Sequence, residues 1–389
     1  MDRPASALRN LGATLCRGGL LGLLLSTPLF AQGGRLDQVF LKDSTRQETG
    51  TVIENGLTNV LVERDGKEKR LDAARVDRII WGAVCSSYRE AQTYFDRGDF
   101  ENAAAKFGLA ATEDERPVIQ AVARRRAGEA LMRMGASDPS QFQLAIEEFD
   151  RFLGDNPDDR SVPIVRAMKA RGTLLRGAEG DVGKAGAEYR SLFESGTGAS
   201  ATTGYDLLGS LKAGLQAVRG LTEAGDTLGA REVNGVLTGA VRDAIAALEP
   251  EAPEAGILAA LRDETQLNEG FILLAAKQAP QAQTFFLAQL KNATGGSAAL
   301  RYGAMLGLGE AYVAQGEMRQ ASLQFATVAA IDYTDRDRSA RALLRLAETL
   351  TKLGDSDGSL QARKRLEVIT TTFGDTPSAA PARKLLETL

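Results

Sequence analysis

The chain has 389 residues, 43% hydrophobic and 25% charged, with a net charge of −4 and no histidine. That length is too great for one small domain, and the mix is ordinary for a folded protein. The missing histidine excludes a His-based triad, a His metal site and an imidazole switch, and the slight acidic balance gives no electrostatic case for nucleic acid, which favours a basic surface.

Arg3, Arg9 and Arg17 precede "GGLLGLLLSTPLFA" (18–31), and no acid stands between Asp2 and Asp37. A basic start, a short apolar run and a small residue at Ala31 predict a secretory signal peptide over 1–31, cut before Gln32. The run is short for a bilayer. The expectation is a periplasmic or secreted bacterial protein with no membrane span after cleavage; retention of the segment as an anchor stays open. Leu15 stands before Cys16 where lipid attachment needs a small residue. Removal of Cys16 leaves Cys85 alone, which forms neither an internal disulfide nor a zinc site. Cys85 is expected as a small core residue.

Residues 32–84 read as a small β module. Val39-Phe40-Leu41, Thr51-Val52-Ile53 and Val60-Leu61-Val62 are β-rich, with turn chemistry at "ENG" (54–56) and "RDG" (64–66). Lys69-Arg70-Leu71 supplies a return strand, and Val76 to Trp81 a last one. In pattern the module resembles the SH3-like barrels near the start of some bacterial envelope proteins. It is expected to cap the first helix pair, with binding of a partner or cell-wall polymer as the other reading. Trp81 is placed at the domain junction.

Residues 85–389 alternate amphipathic helices with short Gly, Asp or Pro breaks. One pattern recurs. Ala91 and Tyr94 precede Gly98-Asp99, then Ala103 and Phe107 follow. Gly128 and Leu131 precede Gly135, then Ala145 and Phe149. Gly172 and Leu175 precede Gly180-Asp181, then Ala185 and Tyr189. Gly309 and Tyr312 precede Gly316-Glu317, then Ala321 and Phe325. Within the second helix the small residue and the aromatic stand four apart, on one face. Glycine inside a helix costs about 1 kcal/mol against alanine, so its recurrence in one slot needs a packing reason.

These copies resemble the tetratricopeptide repeat, a pair of antiparallel helices of 34 residues. The resemblance implies that small residues let the two backbones approach, and that the aromatic fills the seam to the next pair. Residues 201–295 read as two divergent pairs around Gly225-Asp226 and the acidic loop "EPEAPEAG" (249–256). The last segment reads as a pair and a terminal helix from about Ser378. The predicted fold is therefore mainly α: a TPR-like α-solenoid of about seven helix pairs plus a terminal helix, preceded by a small β-barrel-like module.

Candidate chemistry is sparse. "GDSDG" (354–358) lacks the third acid and the closing Glu of a calcium loop. Gly303, Gly307 and Gly309 follow no strand and make no dinucleotide fingerprint. Arg124-Arg125-Arg126 spread around a helix. The sequence holds no catalytic, cofactor or metal constellation. The repeat resemblance implies that first helices line a concave groove, which places Arg125, Glu129, Arg133, Lys169, Arg176, Glu310, Glu348 and Lys352 on the partner-binding face. Carboxylate-clamp members carry Asn just after the small slot; here Gln92, Glu129, Thr173, Glu310 and Glu348 stand there. Three acids would repel a carboxylate, so a basic, mixed or apolar partner is expected. The leading reading is a non-enzymatic interaction scaffold of the cell envelope. A cell-wall anchor acting through the β module and an accessory subunit of an envelope enzyme remain as alternatives.

Overall fold

The computed structural model describes residues 36–389 except 43, 45, 199–200, 250, 294–296 and 355–356. The signal-peptide segment, its cut site and Cys16 lie outside the described residues. So do parts of the turns at 354–358 and 194–204.

Among the described residues, five antiparallel strands come first: β1 (Asp37–Leu41), β2 (Gln47–Asn55), β3 (Asn59–Arg64), β4 (Lys67–Asp72) and β5 (Val76–Ile80). Their order in the sheet is β4-β3-β2-β1-β5, so the last strand returns to pair with the first. Alternation along β3 sends Val60 and Val62 inward, where they meet Val39, Val52, Leu71 and Val76. Asp65 and Gly66 both have positive φ, the backbone a tight two-residue hairpin requires. Register shifts at Phe40/Leu41 and Val52/Glu54 curl the sheet. A single 3-10 turn (Ala73–Arg75) joins β4 to β5. The expected turn at 54–56 begins later, because β2 runs on to Asn55, whose amide donates to Asp159 Oδ2 at 3.1 Å.

Among the described residues, helices follow in seven antiparallel pairs. These are α1 (Ser86–Asp96) with α2 (Phe100–Glu113), α3 (Pro117–Met134) with α4 (Ser140–Asp155), and α5 (Val162–Arg176) with α6 (Asp181–Gly196). Next come α7 (Leu207–Glu223) with α8 (Thr227–Ala246), and α9 (Ala255–Ala275) with α10 (Ala279–Asn292). Then come α11 (Ala298–Ala314) with α12 (Met318–Ile331), α13 (Arg336–Leu353) with α14 (Gly358–Thr372), and the terminal helix α15 (Ala379–Leu386). The architecture is a TPR-like α-solenoid. Its Gly-Asp turns divide two tasks: Gly98 takes φ +78°, and Asp99 then caps α2 by accepting from the Asn102 amide.

The repeat slots carry the core. Ala91, Ala103, Phe107, Ala145, Phe149, Ala321 and Phe325 are fully buried, with Ala185 and Tyr189 nearly so. Tyr94 and Tyr312 are half-buried at the edges of their clusters. A β-carbon on Gly128 would lie 2.4 Å from the ring of Phe149. The aromatic therefore fills the close approach within its own pair, and its cluster extends to Val162 and Val165 of the next. The divergent pair α9/α10 uses the same device, Gly270 against Phe286. Gly172 differs: a β-carbon there meets Met132 Sδ at 3.0 Å and Ile146 at 3.3 Å, so this glycine serves the seam to the preceding pair.

The sheet reaches beyond the first helix pair. Arg116, at the start of α3, donates to the buried Asp37 carboxylate, to Val52 O at 3.0 Å and to Ala83 O at 3.1 Å. Its guanidinium stands 6.0 Å from the Trp81 ring centroid, and Trp81 joins the sheet core to the first helical core. Leu57 N donates to Asp158 O at 2.7 Å, and Arg160 to Val76 O at 3.0 Å, fastening the sheet to the α4–α5 loop. Among the described residues no helix is long and apolar enough to cross a membrane.

Candidate partner-binding groove

Small residues bring neighbouring pairs close. A β-carbon on Gly220 (α7) would lie 2.7 Å from the backbone of Gly186 (α6), and one on Gly303 (α11) would lie 2.4 Å from Leu267 (α9). First helices of the last four pairs line one common space. Between α7, α9, α11 and α13 lies a cavity of about 580 Å³, which α5, α6 and the segment before and into α15 also line. Leu174, Leu267, Phe271, Leu274, Leu306 and Val313 give it an apolar wall.

The other wall is a chain of alternating charge. Arg219 meets Glu264 at 2.7 Å. Arg341 reaches Glu223 at 3.5 Å and Glu310 at 3.4 Å, with its guanidinium 5.4 Å from the Phe271 ring centroid. Arg345 meets Glu310 at 2.5 Å and also pairs with Glu348. Burial pushes the Arg345 pKa down, but Glu310 and Glu348 outweigh it and hold the guanidinium above its ordinary value. Arg341 makes the longest of these contacts, so it is the cation most readily replaced. An incoming basic group could take its place at Glu223 and Glu310, while an apolar group covers Phe271.

Of the eight residues placed on the partner face by sequence, Glu310 and Glu348 line this cavity. Arg125 pairs with Glu129, which Arg126 shares at 2.6 Å. Lys169 turns to Asp150 of α4 at 2.5 Å. Arg176 pairs with the buried Asp181 and with Gln143. Arg133 and Lys352 are exposed. The sequence reading missed Arg219, Glu223, Glu264, Phe271, Arg341 and Arg345. Arg341 and Arg345 carried a usable signal: with Glu348 they stand at i, i+4, i+7 and share one helical face.

Cys85 sits half-buried before α1, where its amide donates to Asp114 at 2.8 Å. Burial, with Asp114 and Glu113 nearby, pushes its thiol pKa up, which disfavours the nucleophilic thiolate.

No protein-family model matches the chain, and no curated protein matches it. Among solved structures, the chain is similar to the crystal structure of a Rap protein complexed with Competence and Sporulation Factor. That match has 12% identity and a TM-score of 0.43, and covers 74% of this chain and 76% of the other. It is also similar to the apo form of RapI, at 12% identity and a TM-score of 0.39, covering 78% of this chain and 86% of the other.

Proposed function

We propose that the protein is a non-enzymatic interaction scaffold of the cell envelope that takes a segment of a partner protein into its inner groove. The observation that carries this is the convergence of first helices from consecutive pairs on one cavity, apolar on one wall and charge-alternating on the other. Such a surface orients a polypeptide segment of mixed charge and apolar character. Export is supported by the basic, apolar and small-residue order of residues 1–31. In the same reading the sheet is an SH3-like brace that steadies the first three pairs through Arg116 and Arg160.

The test is affinity capture from envelope extract with the wild-type chain, a Glu223→Lys/Glu348→Lys variant, and an Ile164→Ser control altered on an exposed apolar side chain. Circular dichroism establishes that all three are folded. A protein held in stoichiometric amount by the wild type and control, and lost from the charge-reversed chain, is the expected result. The same set of proteins on all three baits would remove the groove from consideration.

A further inference from the structure

We propose that the C-terminal segment Phe373–Leu389 is a releasable latch that closes the solenoid into a ring, and that its release admits the groove's occupant. The gating half rests on the reading of the cavity as a partner site; the latch itself does not.

The segment belongs to the last helix pair. Ala379, Ala382, Leu385 and Leu386 pack with Leu366 and Ile369 in one apolar cluster. Its far side meets α3–α5 by a different kind of contact. Arg171 of α5 grips Asp337 of α13 through both carboxylate oxygens, at 2.6 and 2.9 Å, and donates to Asp375 O at 3.0 Å. Arg383 donates to Ala136 O at 3.1 Å. Backbone fits complete the closure: a β-carbon on Gly374 would lie 2.0 Å from Ala136 O, and one on Gly177 2.5 Å from Ala380 Cβ.

Among the described residues no hydrophobic cluster spans this junction. The seams between successive pairs bury apolar side chains, Phe193 against Gly214 and Phe286 against Gly307 among them, whereas the closure is an ion pair, a few hydrogen bonds and small-residue approaches. The Arg171 and Asp337 side chains keep 29% and 31% of their surface exposed, so salt reaches and partly screens the pair. The closure thus lacks the apolar burial of the other junctions, and on this proposal it opens while every helix pair stays folded. It is also placed to gate. Asp337, held by Arg171, lines the cavity, and so do Pro377, Ser378 and Pro381 of the latch. An occupant large enough to lie along α7–α13 needs this side open.

The experiment compares the full chain with Arg171→Asp, Gly374→Val and the charge-swapped Arg171→Asp/Asp337→Arg double variant. Small-angle scattering reads the radius of gyration, and amide hydrogen exchange reads residues 379–386. Both single variants are expected to be larger than wild type, with exchange in α15 faster by about tenfold or more and unchanged in α7–α12. The double variant is expected to return both readouts toward wild type. For access, Gln216→Cys on the cavity wall, in a chain with Cys16 and Cys85 changed to Ser, is labelled with a fluorescein maleimide. Labelling accelerates when Arg171→Asp is added. Wild-type size and α15 exchange in both single variants overturn the latch, as does faster exchange throughout the chain, which means unfolding. Opening without faster labelling overturns the gating. No readout involves a partner, so failed capture would sink the groove reading and leave the latch standing.

Discussion

Gly309 on α11 and Phe325 on α12 occupy the same space in turn: a β-carbon on the glycine would lie 2.5 Å from Cε1 of the ring. The ring is fully buried and cannot step aside. Gly309→Val is expected to destabilise the protein by about 1–3 kcal/mol through overpacking. Ala321→Leu, which enlarges a fully buried side chain in the same cluster, carries a similar expected cost of about 1–3 kcal/mol. Gly239 on α8 is the control, because a β-carbon there meets nothing within 4 Å. Gly239→Ala should stabilise by up to about 1 kcal/mol from helix propensity alone. Thermal melts of the three variants check the signs, and equal melting temperatures for Gly309→Val and wild type would refute the packing role of that slot.

Arg116 is the counter-ion of a carboxylate that is 1% exposed. Removing it leaves Asp37 with the amides of Val52 and Gly82, each at 2.7 Å, and no cation. Arg116→Ala should therefore cost about 3 kcal/mol, within the range for stranding a buried charge. The loss should be concentrated in β1, β2 and the junction at Trp81. Hydrogen exchange that stays slow in the strands of this variant would show that the sheet does not depend on the pair.

Stability should form a plateau in pH with sloping ends. No imidazole titrates between pH 5 and 8, so the melting temperature should change little there. Burial would raise the pKa values of Asp181 and Asp332, but the hydrogen-bonded guanidinium of Arg176 and of Arg338 outweighs it and holds each below the ordinary value. Their folded forms favour the charged state, so their contribution is present above the unfolded pKa near 4 and lost as pH falls through the lower folded value.

At the alkaline end, burial pushes the Tyr88 and Tyr189 hydroxyls up to about 12, against nearby arginines. Their neutral forms favour the fold, so that contribution is complete below pH ~10 and lost as pH rises toward ~12. Tyr88→Phe should flatten part of this limb, on the order of 1–3 kcal/mol at its far end, with little change at pH 7. An unaltered alkaline limb in Tyr88→Phe would mean that this hydroxyl does not drive it.

The local grammar was legible in the sequence. Small residues and aromatics at fixed separations gave the helix pairs, Gly-Asp gave their turns, and Asp65-Gly66 gave the hairpin. The pair at Gly270 and Phe286 was not assigned, although its spacing equals that of Gly309 and Phe325; its neighbours carry no second glycine turn, and Lys277 takes the positive φ there instead. The ring closure was illegible for a different reason. Arg171, Ala136, Gly374 and Arg383 occupy no repeat slot, and their meeting depends on the summed rotation of every pair between them. The charges of the groove were legible as helical faces and illegible as partners, since α7 and α13 share no local pattern.

The closure between Arg171 and Asp337 also fixes how many units can lie between α5 and α13. Open arrays grow or shrink by whole units, because each touches only its neighbours and the ends are free. Here the last pair meets the second and third. Inserting or deleting one helix pair between α5 and α13 would rotate α13 away from α5, so that Gly374 no longer finds the Ala136 carbonyl. Duplication within that stretch, the ordinary route by which such arrays lengthen, would break the closing contact at the first step. Change in this architecture is therefore confined to side chains within a constant count of pairs from the third to the last.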